Sequence, residues 1–583
     1  MNNRDAAAFD PSFTLPLPTP AEMNGWDAAA AEMGLKTELL MENAARAAYC
    51  ALAEKFGPLQ GKRALCFAGP GNNGGDAIAL ARHLHDAGAV VTLLLTRQTK
   101  EYRGAPGFHL RLARRAGVEV KRAVTRMSGV PRRIPALVDI NVMSGIVQPD
   151  IIVDGLLGTG LTGDPRPPYD ALIETINHLG QNAFVLALDI PSGLSGLTGQ
   201  PSRHTVAADL TVTFEAAKLG LAMPCAKLYT GELVTPSIGI PRAVREAHPA
   251  THHLLTPALA AMLPGLDPAM HKGTAGKLLI VGGSPGLTGA PVLAALGALR
   301  AGIGLVTVAC PQGIESVLKA GHPDIMTLPL STSQQWTASM AREIASLLTR
   351  FDALVVGPGI GRGADTMEFL SVLATACGAR AAGDGPSDAA AGHAGRSRLR
   401  DRTRQQRAIT GGHCIPTVWD ADALFWLAAN PQALPLANQA IITPHPGEAA
   451  RLLGVPLADV ESDRPRSVRE LAVRTGATAI LKGPATLICT PVDGKDRALW
   501  PVFVSPFAEP NLAVGGSGDV LAGVMGSLLA RGVSPLLGAS LGVYWHGLAG
   551  RILSADFPYR GNLASEIALA LPTALMEWLH AHS

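Results

Sequence analysis

The chain of 583 residues is short of cysteine pairs: its seven cysteines stand singly, at 50, 66, 225, 310, 377, 414 and 489, with no Cys-x-x-Cys. An odd, scattered set argues against a disulfide framework and fits a reduced, cytoplasmic setting. Charge is scarce and balanced, with 16 % charged residues and a net charge of +2. That balance gives no electrostatic footprint for nucleic acid or an anionic membrane. Residues Met1–Phe13 are polar and acidic, so they lack the apolar core of a signal peptide. Long apolar runs are missing too. The charge-free stretch Leu278–Leu299 is broken by Gly282, Gly283, Pro285, Gly286, Gly289 and Pro291. It predicts strand, glycine loop and helix rather than a membrane span.

Hydrophobic residues and glycine are plentiful, at 47 % and 64 residues. The first supplies large buried cores. The second is concentrated after strand-like runs, where it marks ligand loops rather than disorder. Residues 1–22 read as a loose Ala/Pro-rich leader. A helix pattern covers 28–52. Strands then alternate with helices over 23–242: Arg63–Phe67, Val90–Leu95, Ile151–Val153, Phe184–Leu188 and Leu210–Phe214. A Pro- and His-containing linker over 243–268 follows, and the alternation restarts over 269–583. Such alternation predicts α/β architecture: two three-layer domains, each a parallel sheet covered on both faces, with ligands at the carboxyl ends of the strands. The segment 378–413 carries seven arginines among Ala and Gly and reads as a low-complexity insertion, a loop rather than a nucleic-acid contact.

Two glycine loops carry the chemistry. Gly69-Pro70-Gly71-Asn72-Asn73-Gly74-Gly75-Asp76 precedes a helix over 77–87, and Gly515-Gly516-Ser517-Gly518-Asp519 precedes one over 520–529. Each aims backbone N–H groups and a helix N-terminus at an anion. In the first, Asp76 either takes a substrate hydroxyl or caps the helix. Asp154, Asp189 and Ser192 stand at other strand ends, and Asp189 is the candidate general acid or base. Oxygen ligands from Asn73, Asp154 and Ser192 suit a hard cation rather than zinc. In the second, Asp519 is placed to take a proton from a hydroxyl while the loop N–H groups hold a transferring phosphoryl group. Lys482-Gly483 with Thr486 follows a strand and suits nucleotide phosphates.

With Met41-Glu42-Asn43-Ala44, Ala81-Arg82-His83-Leu84, Gly158-Thr159-Gly160-Leu161, Asp189–Gly193 and Ile238-Gly239-Ile240-Pro241 in order, residues 20–242 resemble the NAD(P)H-hydrate epimerase (YjeF N-terminal) domain. The resemblance implies a Rossmann-like fold and K⁺ near Asn73, Asp154 and Ser192. It also implies a substrate site at Asn72, Asn73, Gly74, Gly75, Asp76, Gly158, Thr159, Gly160, Leu161, Thr162, Gly163, Asp164 and Asp189. His271-Lys272-Gly273, Gly282-Gly283-Ser284, Gly289-Ala290, Gly357–Gly361, Asp420–Leu424, Thr443–Glu448, Lys482-Gly483 and Gly515–Asp519 resemble the ADP/ATP-dependent NAD(P)H-hydrate dehydratases. That resemblance implies a ribokinase-like fold and a hydrate pocket at Ala290, Gly359, His445 and Asp519. It implies nucleotide contacts at Lys482, Gly483, Pro484, Ala485, Thr486, Gly515, Gly516, Ser517 and Gly518, with Mg²⁺. One departure is Ala508-Glu509-Pro510-Asn511, where that family has Gly-Asn-Pro-Gly.

Together the resemblances imply a homo-oligomeric, bifunctional repair enzyme. It would interconvert the R and S forms of hydrated NADH or NADPH and dehydrate the S form with ADP or ATP. A second reading is a ribokinase-type small-molecule kinase joined to a non-catalytic Rossmann-like domain.

Overall fold

The computed structural model describes residues 13–123, 148–160, 163–378, 415–437, 439–494 and 496–582. The chain forms two compact units. One is Pro16–His252; the other runs from His253 onward and takes in residues 13–15.

The first unit is built on seven parallel strands. Their order is Glu119–Arg122, Val90–Leu95, Arg63–Ala68, Ile151–Gly155, Phe184–Leu188, Leu210–Val212, Glu232–Val234. Strand Arg63–Ala68 shows why both faces are covered. Ala64, Cys66 and Ala68 join a core with helices Thr37–Phe56 and Asn72–Asp86, while Leu65 and Phe67 join a second core with helix Tyr169–Gly180. Alternate side chains leave a strand on opposite faces, so an unbroken apolar run feeds two cores at once. From Arg63–Ala68 the chain crosses first to Val90–Leu95 on one side and later to Ile151–Gly155 on the other. Their carboxyl ends therefore frame a crevice at a switch point.

The second unit holds an eleven-stranded sheet. Strand Lys277–Val281 lies between Leu305–Pro311 and Ala353–Val356, parallel to both. Strands Thr417–Trp419, Ala440–Ile442 and Thr478–Leu481 continue in parallel, and Leu487–Cys489 and Val502–Val504 close in antiparallel. Leu278 and Ile280 pack with helices Gly289–Arg300, Ser517–Ala530, Pro535–Asp556 and Ala564–His582. Leu279 and Val281, equally buried, point to the other face. The run Leu278–Leu299 is thus the expected strand, glycine turn and helix. No helix among the described residues is long and apolar enough to cross a membrane.

Three expectations need correction. Residues 14–22 are not a loose leader: Thr14–Pro16 is a strand, and helix Pro20–Glu32 starts from a Thr19/Glu22 capping box with proline in its first turn. The helix expected over 28–52 is two, Pro20–Glu32 and Thr37–Phe56, separated at Gly34, which adopts φ +95°. The expected linker 243–268 holds helix Arg242–Ala247, strand His252–Leu255 and a 3₁₀ turn at Pro257–Met262. Apart from Gly378, the expected insertion lies outside the described residues.

Candidate active sites

Helix Asn72–Asp86 begins directly after Gly71, so the residues expected in a loop form its first turn. A Cβ on Gly74 would lie 1.8 Å from the Gly69 carbonyl oxygen, and one on Gly75 would lie 2.4 Å from Met41 Cε. These two glycines let the helix start press onto its own strand end and onto helix Thr37–Phe56. Asp76 is accordingly not a helix cap. It sits inside the helix, its carboxyl turned into a cavity.

That cavity has a volume of about 870 Å³. Asn72, Asn73, Gly74, Asp76, Gly158, Thr159, Gly160, Asp164 and Asp189 line it, as expected, while Gly75 and Gly163 do not. Leu161 and Thr162 lie outside the described residues. Asn73 and Ser192 meet at Leu157, and Asp154 is bonded to Ser192 and Leu156. Asn73 Nδ2 donates to Leu157 O at 2.8 Å, and Leu157 N donates to Ser192 Oγ at 2.9 Å. Asp154 Oδ1 accepts from Ser192 Oγ at 2.7 Å and Leu156 N at 3.1 Å, and Oδ2 accepts from Ser192 N at 2.8 Å. Burial still pushes the Asp154 carboxyl up to about 6 against those donors. Asn73 Oδ1 is buried with no donor. An orphaned amide oxygen and a desolvated carboxylate form an oxygen donor set that suits a hard cation.

Asp189 is the first residue past strand Phe184–Leu188 and adopts φ +60°. Its partner escaped the sequence reading. Lys218 is 1 % exposed, and its three N–H bonds reach Asp189 Oδ1, Thr213 Oγ1 at 3.0 Å and Phe214 O at 3.2 Å. An ammonium has three donors, so this one is fully satisfied out of water. Asp27, on helix Pro20–Glu32, also lines the cavity and was also missed. Burial, then repulsion from Asp189 and Asp27, holds the Asp76 carboxyl well above the usual range, with Lys218 opposing. Burial raises Asp27 to about 6 in the same way, against Lys218.

In the second unit Asp420, Thr443 and Lys482 are each the first residue past three neighbouring parallel strands. Sheet register therefore brings them together. Lys482 Nζ donates to Asp420 Oδ1 at 2.9 Å, and Thr443 Oγ1 donates to the same oxygen at 2.5 Å. Burial pulls the Lys482 ammonium down, but Asp420, Glu448 and Asp519 outweigh it and hold it above its usual value. Helix Ser517–Ala530 points its first turn at this pair: a Cβ on Gly518 would lie 3.2 Å from Lys482 Nζ. Asp519, third in the helix, is pushed up to about 7 by burial and by Asp420, with Lys482 opposing.

The expected contacts sort unevenly. Gly359 and Ala290 face each other, with a Cβ on Gly359 lying 3.3 Å from Ala290 Cβ. His445 is the cap of helix Pro446–Leu453, and its Nδ1 accepts from Gly447 N at 3.0 Å and Glu448 N at 3.4 Å. Gly483, Pro484 and Thr486 form the exposed turn after Lys482, with Thr486 Oγ1 donating to Gly483 O at 2.8 Å. Ala485 turns inward, 2 % exposed, its N–H spent on Phe507 O at 3.0 Å. Ser517 is also occupied. Its N–H donates to Val514 O at 3.2 Å, and its hydroxyl lies 3.2 Å from Nε2 of buried His546. The first-turn N–H groups of Gly518 and Asp519 find no acceptor among the described residues, as helix geometry leaves them. In the departing segment, Asn511 Nδ2 donates to Ser554 Oγ at 3.2 Å and Phe557 O at 3.1 Å, which pins the chain entering Gly515.

Comparison with known proteins agrees with this division. Residues 37–220 match the family described as YjeF-related protein N-terminus. Residues 278–385 and 408–573 match the NAD(P)H-hydrate dehydratase family. Along nearly its whole length the chain is similar to the bifunctional NAD(P)H-hydrate repair enzyme Nnr of Moorella thermoacetica, 34 % identical over 96 % of each chain. It is 32 % identical to the Nnr of Coxiella burnetii over 92 % of this chain and 95 % of that one. It is likewise 32 % identical to the Nnr of Escherichia coli over 92 % of this chain and 90 % of that one.

Proposed function

The chain belongs to the bifunctional NAD(P)H-hydrate repair enzymes, and from that premise we propose which residues perform each half of the repair. It is an epimerase of hydrated NADH and NADPH joined to a nucleotide-dependent dehydratase. Hydration protonates one carbon of the ring enamine and puts hydroxyl on the carbon next to the ring nitrogen. Loss of that hydroxyl leaves a cation shared with the nitrogen. Both halves must therefore manage one carbon–oxygen bond.

In the first unit, neutral Asp76 gives its proton to the departing hydroxyl. Asp189, ion-paired with Lys218, would stabilise the ring cation. Water returning to the opposite face yields the other epimer. Asn73, Asp154 and Ser192 would hold K⁺, whose charge would ease the desolvated Asp154 and orient the Leu157 turn. Exchanging K⁺ for a bulky organic cation should slow epimerisation and lower the melting temperature of this unit; neither change would leave the K⁺ assignment without support.

In the second unit, Asp519 takes the proton of the S-form hydroxyl, and the freed oxygen attacks the terminal phosphoryl of ADP or ATP. A phosphorus–oxygen bond forms as the bond to the leaving nucleotide breaks. The N–H groups of Gly518 and Asp519, with Lys482, stabilise the transferring group. Phosphate then leaves with the ring oxygen, and the neighbouring ring carbon gives its proton to the departing phosphate or solvent, restoring the double bond. Gly483, Pro484 and Thr486 flank the nucleotide phosphates; Ala290, Gly359 and His445 flank the hydrate. Mg²⁺ would be held through Glu448, whose carboxyl is raised chiefly by burial and would be eased by a cation. The six free cysteines among the described residues fit a cytoplasmic setting, and assembly of like subunits is open to light scattering.

The observation that carries this reading is the meeting of Asp420, Lys482 and Asp519 at one helix N-terminus. Asp519→Asn should abolish dehydration of the S form while R and S continue to interconvert. Dehydration at the wild-type rate would remove Asp519 from the mechanism.

A further inference from the structure

Exchange at one carbon from two faces is best served by a proton-transfer group on each face, and the cavity of the first unit holds four carboxyls. Asp189 is tied to Lys218 and also accepts from Phe214 N at 3.4 Å. Asp164, exposed at the rim, accepts from Arg203 N at 3.1 Å. Lys218 has all three donors engaged and no proton to spare. Asp76 and Asp27 remain. Neither carboxyl has a hydrogen-bond partner among the described residues, both line the cavity, and they come from different elements, helices Asn72–Asp86 and Pro20–Glu32.

We propose that Asp27 is the second proton-transfer group of the epimerase, serving the ring face that Asp76 does not. The step rests on the epimerase reading above, and it balances. Asp76 protonates the hydroxyl on one face, the carbon–oxygen bond breaks, and water departs with a ring cation left behind. Water then adds to the other face, a carbon–oxygen bond forms, and the Asp27 carboxylate takes the surplus proton. The reverse reaction exchanges the two roles. Charge agrees with the assignment. Asp27 shares the cavity with Asp76, Asp189, Lys218, Asp164 and Arg166, and buried Glu215 also acts on it. Burial, then repulsion from Asp189 and Asp27, pushes the Asp76 carboxyl well above the usual range, while Asp27 is raised to about 6. Acid and base are thereby set apart by environment.

The test uses the full chain with purified R and S epimers of hydrated NADPH and ATP. Asp27→Asn should dehydrate the S form at the wild-type rate. Its kcat for consuming the R form should fall on the order of 10²-fold or more, with KM unchanged. Followed without nucleotide as interconversion of R and S, the wild type should gain activity as pH rises through about 6, and Asp27→Asn should lose that limb. Asp27→Glu should keep part of kcat with the limb displaced. A wild-type kcat and pH profile in Asp27→Asn overturns the proposal, as does a change confined to KM. If Asp27→Asn loses its cooperative melt, Asp27→Glu decides: a displaced limb supports the role and an unchanged profile overturns it. A wild type that never consumes the R form would instead overturn the epimerase reading, and this inference with it.

Discussion

Lys218 and Lys482 solve one problem in two different sheets: each pairs with a carboxylate at the end of a parallel strand and balances its charge on the spot. Removing one partner of such a pair strands the other. Lys218→Met should destabilise the first unit by about 3 kcal/mol and abolish epimerisation, read by denaturant melts and R-form turnover. The pH dependence of dehydration follows from Asp519. Its carboxyl is raised to about 7, and it serves as a base only when ionised. The kcat/KM for the S form should therefore fall tenfold per pH unit below about 7 and level off above it. A profile flat from 5 to 8 would contradict the role of Asp519. Asp189 and Asp519 were legible in the sequence because each stands where an apolar strand or glycine loop stops. Lys218 and Asp27 were not, since neither belongs to a glycine loop or strand end. Asp420 was visible after its strand, yet no local pattern says that it meets Lys482, 62 residues on.

Among the elements, helix Ser517–Ala530 is aimed by glycines that touch neighbouring backbone. A Cβ on Gly523 would lie 1.9 Å from the Ala294 carbonyl oxygen, and one on Gly297 would lie 2.4 Å from that of Val520. Helices Ser517–Ala530 and Gly289–Arg300 thus meet backbone to backbone, which fixes where Asp519 points. Gly523→Ala should cost about 1–3 kcal/mol by overpacking and slow dehydration by displacing the first turn. Gly265→Ala, which meets nothing within 4 Å, should do neither. The central strands were readable because unbroken apolar runs ending in glycine or aspartate leave few alternatives, whereas short polar strands such as Glu119–Arg122 and Glu232–Val234 were not. Helix starts were not. Glycines 74 and 75 look like loop residues locally, and only their contacts with Gly69 and Met41 show why a helix needs them. The Thr19-Pro20-Ala21-Glu22 capping box was present in the sequence but hidden within an Ala/Pro-rich stretch.

For the whole molecule, the division into two units follows from the restarted strand–helix alternation. Its boundary was placed too loosely, because strand His252–Leu255 is short and begins with two histidines. One chain carrying both activities makes a prediction that neither unit makes alone. An isolated dehydratase stops when the S form is spent; this chain should not. The direct test is recovery of reduced-nicotinamide absorbance from a mixed-epimer sample of hydrated NADPH with the purified chain, with and without ADP or ATP. Complete, nucleotide-dependent recovery in the wild type is predicted, with recovery stopping at the S fraction in Lys218→Met and none in Asp519→Asn. No recovery by the wild type with either nucleotide would contradict the account.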